Sequence, residues 1–171
     1  MKNKKYLCLL MALSLALCGK AESKEVELLA DGVAYSVTYY SGRSGCHVRN
    51  KSNRLYRISG DSLAQCLYGL KDAGISAESM AKQLYSKEKI AQLAGKKASI
   101  GCIIRGNSAG DVLEVHFALH RVCIDEFGIA KIKALEDLIK AKYKFKYSHI
   151  CPPEEKYYSF SIGLMFSKYV D

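Results

Sequence analysis

The sequence predicts an α+β fold, an antiparallel sheet with helices packed on one face. Three observations predict it. Residues 33–40 (VAYSVTYY), 112–119 (VLEVHFAL) and 158–166 (YSFSIGLMF) are rich in β-branched and aromatic side chains with a period of two. Apolar residues recur at helical spacing in the stretches between them. The turn signals Asp31-Gly32 and 107–111 (NSAGD) join neighbouring strands closely enough for antiparallel hairpins.

The first element is a targeting segment. Lys2, Lys4 and Lys5 precede thirteen residues, 6–18, that are apolar apart from Ser14. As a helix this run spans roughly 20 Å, against a hydrocarbon core of about 30 Å, which makes it a signal peptide rather than a membrane anchor. Gly19 and Ala21 place cleavage after Ala21, leaving 22–171 as a single α+β domain in the periplasm or secreted. A competing reading makes residues 15–18 a lipobox with Cys18 acylated as a lipoprotein anchor, but Leu17 is bulky where Gly, Ala or Ser is required.

Cleavage lowers the charge. Of 26 basic and 17 acidic residues, Lys2, Lys4, Lys5 and Lys20 leave with the signal, so the mature chain carries 22 against 17, a net of +5. Much of the excess sits in Lys131, Lys133, Lys140, Lys142, Lys144 and Lys146, at the spacing of a solvated helix face and without the aromatic interleaving of a nucleic-acid site. No nucleic-acid partner is expected. With about 150 residues, no linker, no repeat and only Pro152 and Pro153, one compact unit fits better than two.

The N-terminal half reads as a hairpin and a helix. Residues 26–29 and 33–40 flank Asp31-Gly32, and residues 41–53 (SGRSGCHVRNKSN) read as a glycine-rich basic loop, with 55–58 a further strand. Ser59-Gly60-Asp61 starts a helix whose stripe, Leu63, Cys66, Leu67 and Leu70, stops at Gly74. Ser76 then caps a second helical stretch through Met80 and Leu84, with 87–93 continuing it or forming a separate turn before Gly95.

The last ~75 residues are the most informative. A glycine-led strand (95–104), the polar turn, a second strand (112–119), an amphipathic helix (132–145) and a final strand (158–166) follow in order. Alternation gives the core: Ala98, Ile100, Cys102 and Ile104; Leu113, Val115, Phe117 and Leu119; Tyr158, Phe160, Ile162, Leu164 and Phe166. These meet the helix stripe Ile132, Leu135, Leu138 and Ile139, four side chains worth about 2 kcal/mol each when buried, while Glu114, His116 and His120 take the opposite sheet face.

This order, with its GxVxExxF-like second strand after a Gly-Asp turn, resembles the C-terminal domain of TonB-type energy transducers of the bacterial envelope, over residues 76–169. The resemblance implies a non-enzymatic protein-recognition module that pairs its last strand with an extended segment of an outer-membrane receptor. Carried onto this chain, the partner-binding edge is Tyr157, Ser159, Ser161, Gly163 and Met165. The chain departs from the family in having a short cleavable signal and two prolines in place of a membrane helix and a long proline-rich span, so it cannot transmit force. The alternative is a structural protein whose sheet edge closes on a like subunit as a homodimer.

Five cysteines remain in the mature chain, Cys46, Cys66, Cys102, Cys123 and Cys151, so at least one is unpaired in an oxidising compartment. Cys102, on a core-facing strand position, is the candidate free thiol. By position alone, Cys123 could join Cys151 around the helix and Cys46 could join Cys66.

Enzymatic and metal readings are weaker. Cys46-His47 would suggest a nucleophile and base, but neighbours in sequence do not face each other in the required geometry. Glu114, His116 and His120 look like a metal triad, yet on a strand the histidine Cα atoms stand about 13 Å apart, too far to share one ion. His149 beside Cys151 lacks a second ligand pair, and no phosphate loop, dinucleotide fingerprint or nucleophile elbow occurs. No cofactor or metal is expected.

Overall fold

The computed structural model describes residues 23–40, 44–55, 71–107, 109–146 and 157–170. It opens on a hairpin of β1 (Ser23–Ala30) and β2 (Val33–Tyr40). Asp31 and Gly32 both have positive φ, 48° and 76°, the requirement of a two-residue turn whose twist matches the strands. Then come β3 (Gly45–Asn50) and β4 (Lys71–Gly74). Helices α1 (Ala77–Leu84) and α2 (Lys87–Gly95) follow, capped by Ser76 and Ser86, whose hydroxyls accept from the Ser79 and Lys89 amides at 3.1 and 3.3 Å. β5 (Ser99–Asn107) and β6 (Val112–His120) form the second hairpin. The short α3 (Ile124–Phe127), α4 (Ile129–Lys142), β7 (Tyr143–Lys146), β8 (Tyr157–Met165) and a 3-10 turn (Phe166–Lys168) complete the described chain.

Six strands form one antiparallel sheet in the order β1-β2-β3-β6-β5-β8, and β4 pairs with β7 in a separate ribbon. The fold is therefore α+β. Alternate residues of every sheet strand turn to one face, where Val37, Val48, Phe117, Ile100 and Leu164 meet Met80, Leu93, Ile132, Leu135 and Ile139 of the helices in one core. Ala98, Ile100, Cys102 and Ile104 are all buried as expected, and so are Tyr158, Phe160, Leu164 and Phe166, with Ile162 half-buried. The other sheet face is left open by the described helices.

Four expectations are corrected. Residues 45–50, read as loop, are β3, a central strand. Its side chains alternate, with Cys46, Val48 and Asn50 buried and His47 and Arg49 on the open face, so polar residues and a glycine masked a normal strand. Gly45 is there because a Cβ would collide with the Leu119 carbonyl across the pair. The helix expected to stop at Gly74 does not extend that far, because Lys71–Gly74 pairs with Tyr143–Lys146; residues 56–70 lie outside the described chain. The long helix runs from Ile129 to Lys142 rather than 132–145, since Tyr143–Lys146 is drawn into the ribbon.

Leu113 is the fourth correction. A bulge between Arg105 and Gly106 sets Arg105 opposite Glu114 and Gly106 opposite Val112, which turns Leu113 out of the alternation. Leu113 is 36 % exposed, whereas Val112 is 8 % exposed and joins the core. Leu138 is only half-buried, and the residue that completes the α4 stripe is Glu136, 1 % exposed. The signal segment lies outside the described residues.

Candidate functional site

β8 is an outer strand of the sheet, bonded to β5 on one side, with no strand beyond it among the described residues. Its nine residues pair without a bulge from Asn107↔Tyr157 to Ser99↔Met165, so the register is unbroken along its length. Phe160 stacks on Tyr143 at 5.9 Å, and Phe166, fully buried against Tyr85 and Phe127 at 5.6 and 5.8 Å, holds its far end. The strand is thus fastened to the core from its buried face.

All five residues expected to make the binding edge lie on the open face of this strand. Tyr157 and Ser159 are half-buried, and Ser161, Gly163 and Met165 are exposed. The main chain matters more than the side chains. The Met165 amide donates to the Tyr169 hydroxyl at 3.2 Å, so it points away from β5. In an antiparallel strand this direction repeats every second residue, which turns the amides of Gly163, Ser161 and Ser159 outward as well.

The two outer strands differ in chemistry. β1 (SKEVELLA) carries Lys24, Glu25 and Glu27, the charges that ordinarily keep a sheet edge from pairing further. β8 (YYSFSIGLM) carries no charge and no proline. Beside it on the open face, Gly163 stands opposite Gly101, and a Cβ at Gly163 would meet only the end of Met165 at 3.7 Å. At this one pair the open face beside the edge carries no side chain of its own.

Farther across the open face lies a cavity of about 280 Å³ bordered by Ser36, Thr38, Tyr40, His47, Arg49 and His116. Tyr40 meets the His47 ring edge-on at 5.3 Å. Burial, joined by the His120 charge, lowers the His47 pKa; burial also lowers that of His116, with Glu114 opposing it. Both imidazoles are thereby held neutral near pH 7. Glu114 is buried and accepts from the Arg54 and Leu55 amides, which fixes the chain leaving β3. No group of three potential metal ligands converges among the described residues.

Cys46 and His47 go to opposite faces of β3, Cys46 into the core and His47 to the open side, so they do not form a nucleophile–base pair. Cys46, Cys102 and Cys123 are thiols; Cys66 and Cys151 lie outside the described residues. Among the described residues no helix is long and apolar enough to cross a membrane.

One polar cluster escaped the sequence reading. The Tyr35 hydroxyl donates to Glu136 Oε2 at 2.5 Å, Asn50 Nδ2 to both carboxylate oxygens at 3.2 and 3.3 Å, and Lys140 Nζ to Oε1 at 2.5 Å. Burial first, then the bond to Glu136, raises the Tyr35 pKa. Glu136 lies four residues after Ile132 and three before Ile139, so its place on the buried stripe was visible in the spacing.

The chain is similar in structure to a DUF5043 family protein from Bacteroides uniformis, known from a crystal structure. The TM-score is 0.58 at 16% identity, over 83% of this chain and 90% of that one. This likeness shows the fold. No protein-family model matches the chain, and no curated protein matches it.

Proposed function

We propose that this is a cell-envelope binding module that takes up an extended segment of a partner protein by strand addition at β8, after removal of its signal peptide near Ala21. The observation that carries the reading is a nine-residue, bulge-free, uncharged outer strand whose alternate amides point away from the sheet. Main-chain hydrogen bonds supply affinity in this mode, and side chains on alternate positions supply selectivity. The order of hairpin β5–β6, helix α4 and an edge strand β8 beside β5 supports the TonB-like reading, with an outer-membrane receptor segment as the kind of partner.

A photocrosslinker at Ser161, with a control at Leu29 on the β1 edge, tests this in cells of the native envelope. The expected result is an adduct from Ser161 that maps to an extended segment of another envelope protein, with none from Leu29. Ser161→Pro, which removes an outward donor, should abolish the adduct formed by a crosslinker at Met165, whereas Ser161→Ala should keep it, with circular dichroism showing both variants folded. Adducts to a second copy of the chain alone would replace the reading with a sheet-edge homodimer. Equal capture by the folded proline variant would remove strand addition at this edge.

A further inference from the structure

The cavity on the open sheet face takes no part in the β8 edge. Across three paired strands, Ser36 of β2 stands opposite Arg49 of β3, Arg49 opposite His116 of β6, and Thr38 opposite His47, so the pairing gathers one arginine, two histidines and two hydroxyls on one patch of the sheet. Tyr40 borders the same space with its ring set against the His47 ring at 5.3 Å, and Ile103, opposite His116, adds an apolar side chain. The volume of about 280 Å³ lies just below the ~300–1,000 Å³ of most small-molecule sites, which suits a small ligand.

The lining is rich in donors and poor in acceptors. A guanidinium can only donate, a neutral imidazole carries one N–H, and the hydroxyls of Thr38 and Tyr40 can donate as well. Glu25, which borders the cavity from an exposed position on β1, already accepts from the Ser36 hydroxyl, and the buried Glu114 is taken up by the Arg54 and Leu55 amides. A ligand that presents acceptors fits such a lining, and a planar guanidinium pairs best with an oxyanion that offers two oxygens. We infer that this cavity binds a small organic anion, its carboxylate, phosphate or sulfate group set against Arg49, His47 and His116 and its apolar part towards Tyr40 and Ile103.

Such binding is coupled to protons. The charged groups that face the imidazoles are Glu25 from β1, Arg49 on β3, Glu114 and His120 on β6, with Glu114 3.8 Å from His116 Nε2, and Arg105 on β5, opposite Glu114. In the free protein burial holds both imidazoles below the ordinary pKa of 6.5, whereas an anion within about 4–6 Å favours the imidazolium and raises them. Protons are therefore taken up on binding. The anion is held most tightly below the free pKa values and is released as pH rises through the raised ones.

Proton NMR of the imidazole resonances, assigned with His47→Gln and His116→Gln and followed from pH 5 to pH 8 on the full chain, tests this. The probes are benzenesulfonate, which stays ionised over that range, and benzoate, each compared with sodium chloride at the same ionic strength. With at least one probe the His47 and His116 midpoints should rise by about half a pH unit or more, and calorimetry should show that probe bound about tenfold more tightly at pH 5.5 than at pH 7.5. The tighter probe names the head group, benzoate a planar carboxylate and benzenesulfonate a tetrahedral phosphate or sulfate. Arg49→Gln, shown to be folded by circular dichroism, should lose the rise, whereas Lys131→Gln, the same loss of charge at an exposed position of α4, should keep it. Midpoints that move no further than in chloride, an affinity that does not change with pH, or a folded Arg49→Gln that responds as the wild type does would overturn the inference.

Discussion

Replacing Glu136 with alanine should cost about 2–5 kcal/mol of folding stability, because it strands two buried donors at once. Tyr35 is fully buried and Asn50 is 6 % exposed, and the carboxylate of Glu136, 1 % exposed, is the acceptor for both. A buried donor left without its acceptor costs about 1–3 kcal/mol. Tyr35, with its 2.5 Å bond, belongs at the upper end; Asn50, shared between two oxygens at 3.2 and 3.3 Å, belongs at the lower. Lys140, a third exposed, swings into water when its partner goes and adds less than about 1 kcal/mol. Against a total stability of about 5–15 kcal/mol this is a large fraction. Urea unfolding followed by circular dichroism, on the wild type, Glu136→Ala, Tyr35→Phe and the double variant, measures it. Tyr35→Phe alone should lose about 1 kcal/mol, since Glu136 keeps Asn50 and Lys140, and the double variant should lose less than the sum by about 1 kcal/mol. A loss below about 0.5 kcal/mol in Glu136→Ala, or strict additivity in the cycle, would refute the reasoning that the cluster acts as a unit.

Stability should fall at alkaline pH through Tyr35 and Tyr85. Both hydroxyls are raised above the ordinary value of 10.0, by burial first, so the unfolded chain releases those protons near pH 10 while the native chain keeps them. Their contribution is full below about pH 10 and declines above it by about 1.4 kcal/mol per pH unit for each tyrosine; urea midpoints between pH 9 and 11 check this, with Tyr35→Phe falling less steeply. Phe160→Ala should cost about 3–5 kcal/mol, against a change within about 0.5 kcal/mol for Ser159→Ala, and equal losses would mean that the β8 register is wrong. Because of the bulge, Leu113→Lys should be nearly silent, whereas Val112→Lys should destabilise by more than about 2 kcal/mol, as comparative thermal melts would reveal.

The legible parts of the sequence were those where local chemistry and burial agree. Asp31-Gly32 dictates a tight hairpin by its dihedrals, Ser76 caps a helix by its hydroxyl, and the period of two in residues 158–166 put the right face of β8 into the core. β3 was illegible because its outward residues, His47 and Arg49, sit over an open sheet face and its inward ones include Asn50, so a central strand presented a polar, loop-like composition. The bulge at Arg105–Gly106 was hidden because it is a property of pairing, which shifts the face of Leu113 without any local signal in that strand. Glu136 was missed although its spacing from Ile132 and Ile139 puts it on the buried stripe. Its partners Tyr35 and Asn50 come from strands 101 and 86 residues earlier, and only their convergence makes a buried carboxylate tolerable. The last strand was taken as an edge only through the resemblance to the TonB-type domain, and β8 is an outer strand of the sheet.

The contrast between the two outer strands argues that the open edge is kept rather than tolerated. The same chain that places Lys24, Glu25 and Glu27 along β1 leaves nine residues of β8 without a charge. An uncharged edge without a bulge is a standing hazard for aggregation, and sheet proteins ordinarily blunt it with lysine, proline or a bulge. Here the strand is instead held firm from behind, by Phe160 on Tyr143 and by Phe166 between Tyr85 and Phe127, and Tyr169 occupies the amide at its far end. On the proposed strand addition, such fastening would lower the entropy that binding must overcome, because the acceptor strand would already be ordered and only the incoming segment would have to be. Stopping the edge at Met165 with the Tyr169 hydroxyl also limits how far an added strand can run. An edge that is held from behind, bounded at Met165 and uncovered among the described residues fits the proposed uptake of one extended segment better than indefinite sheet growth.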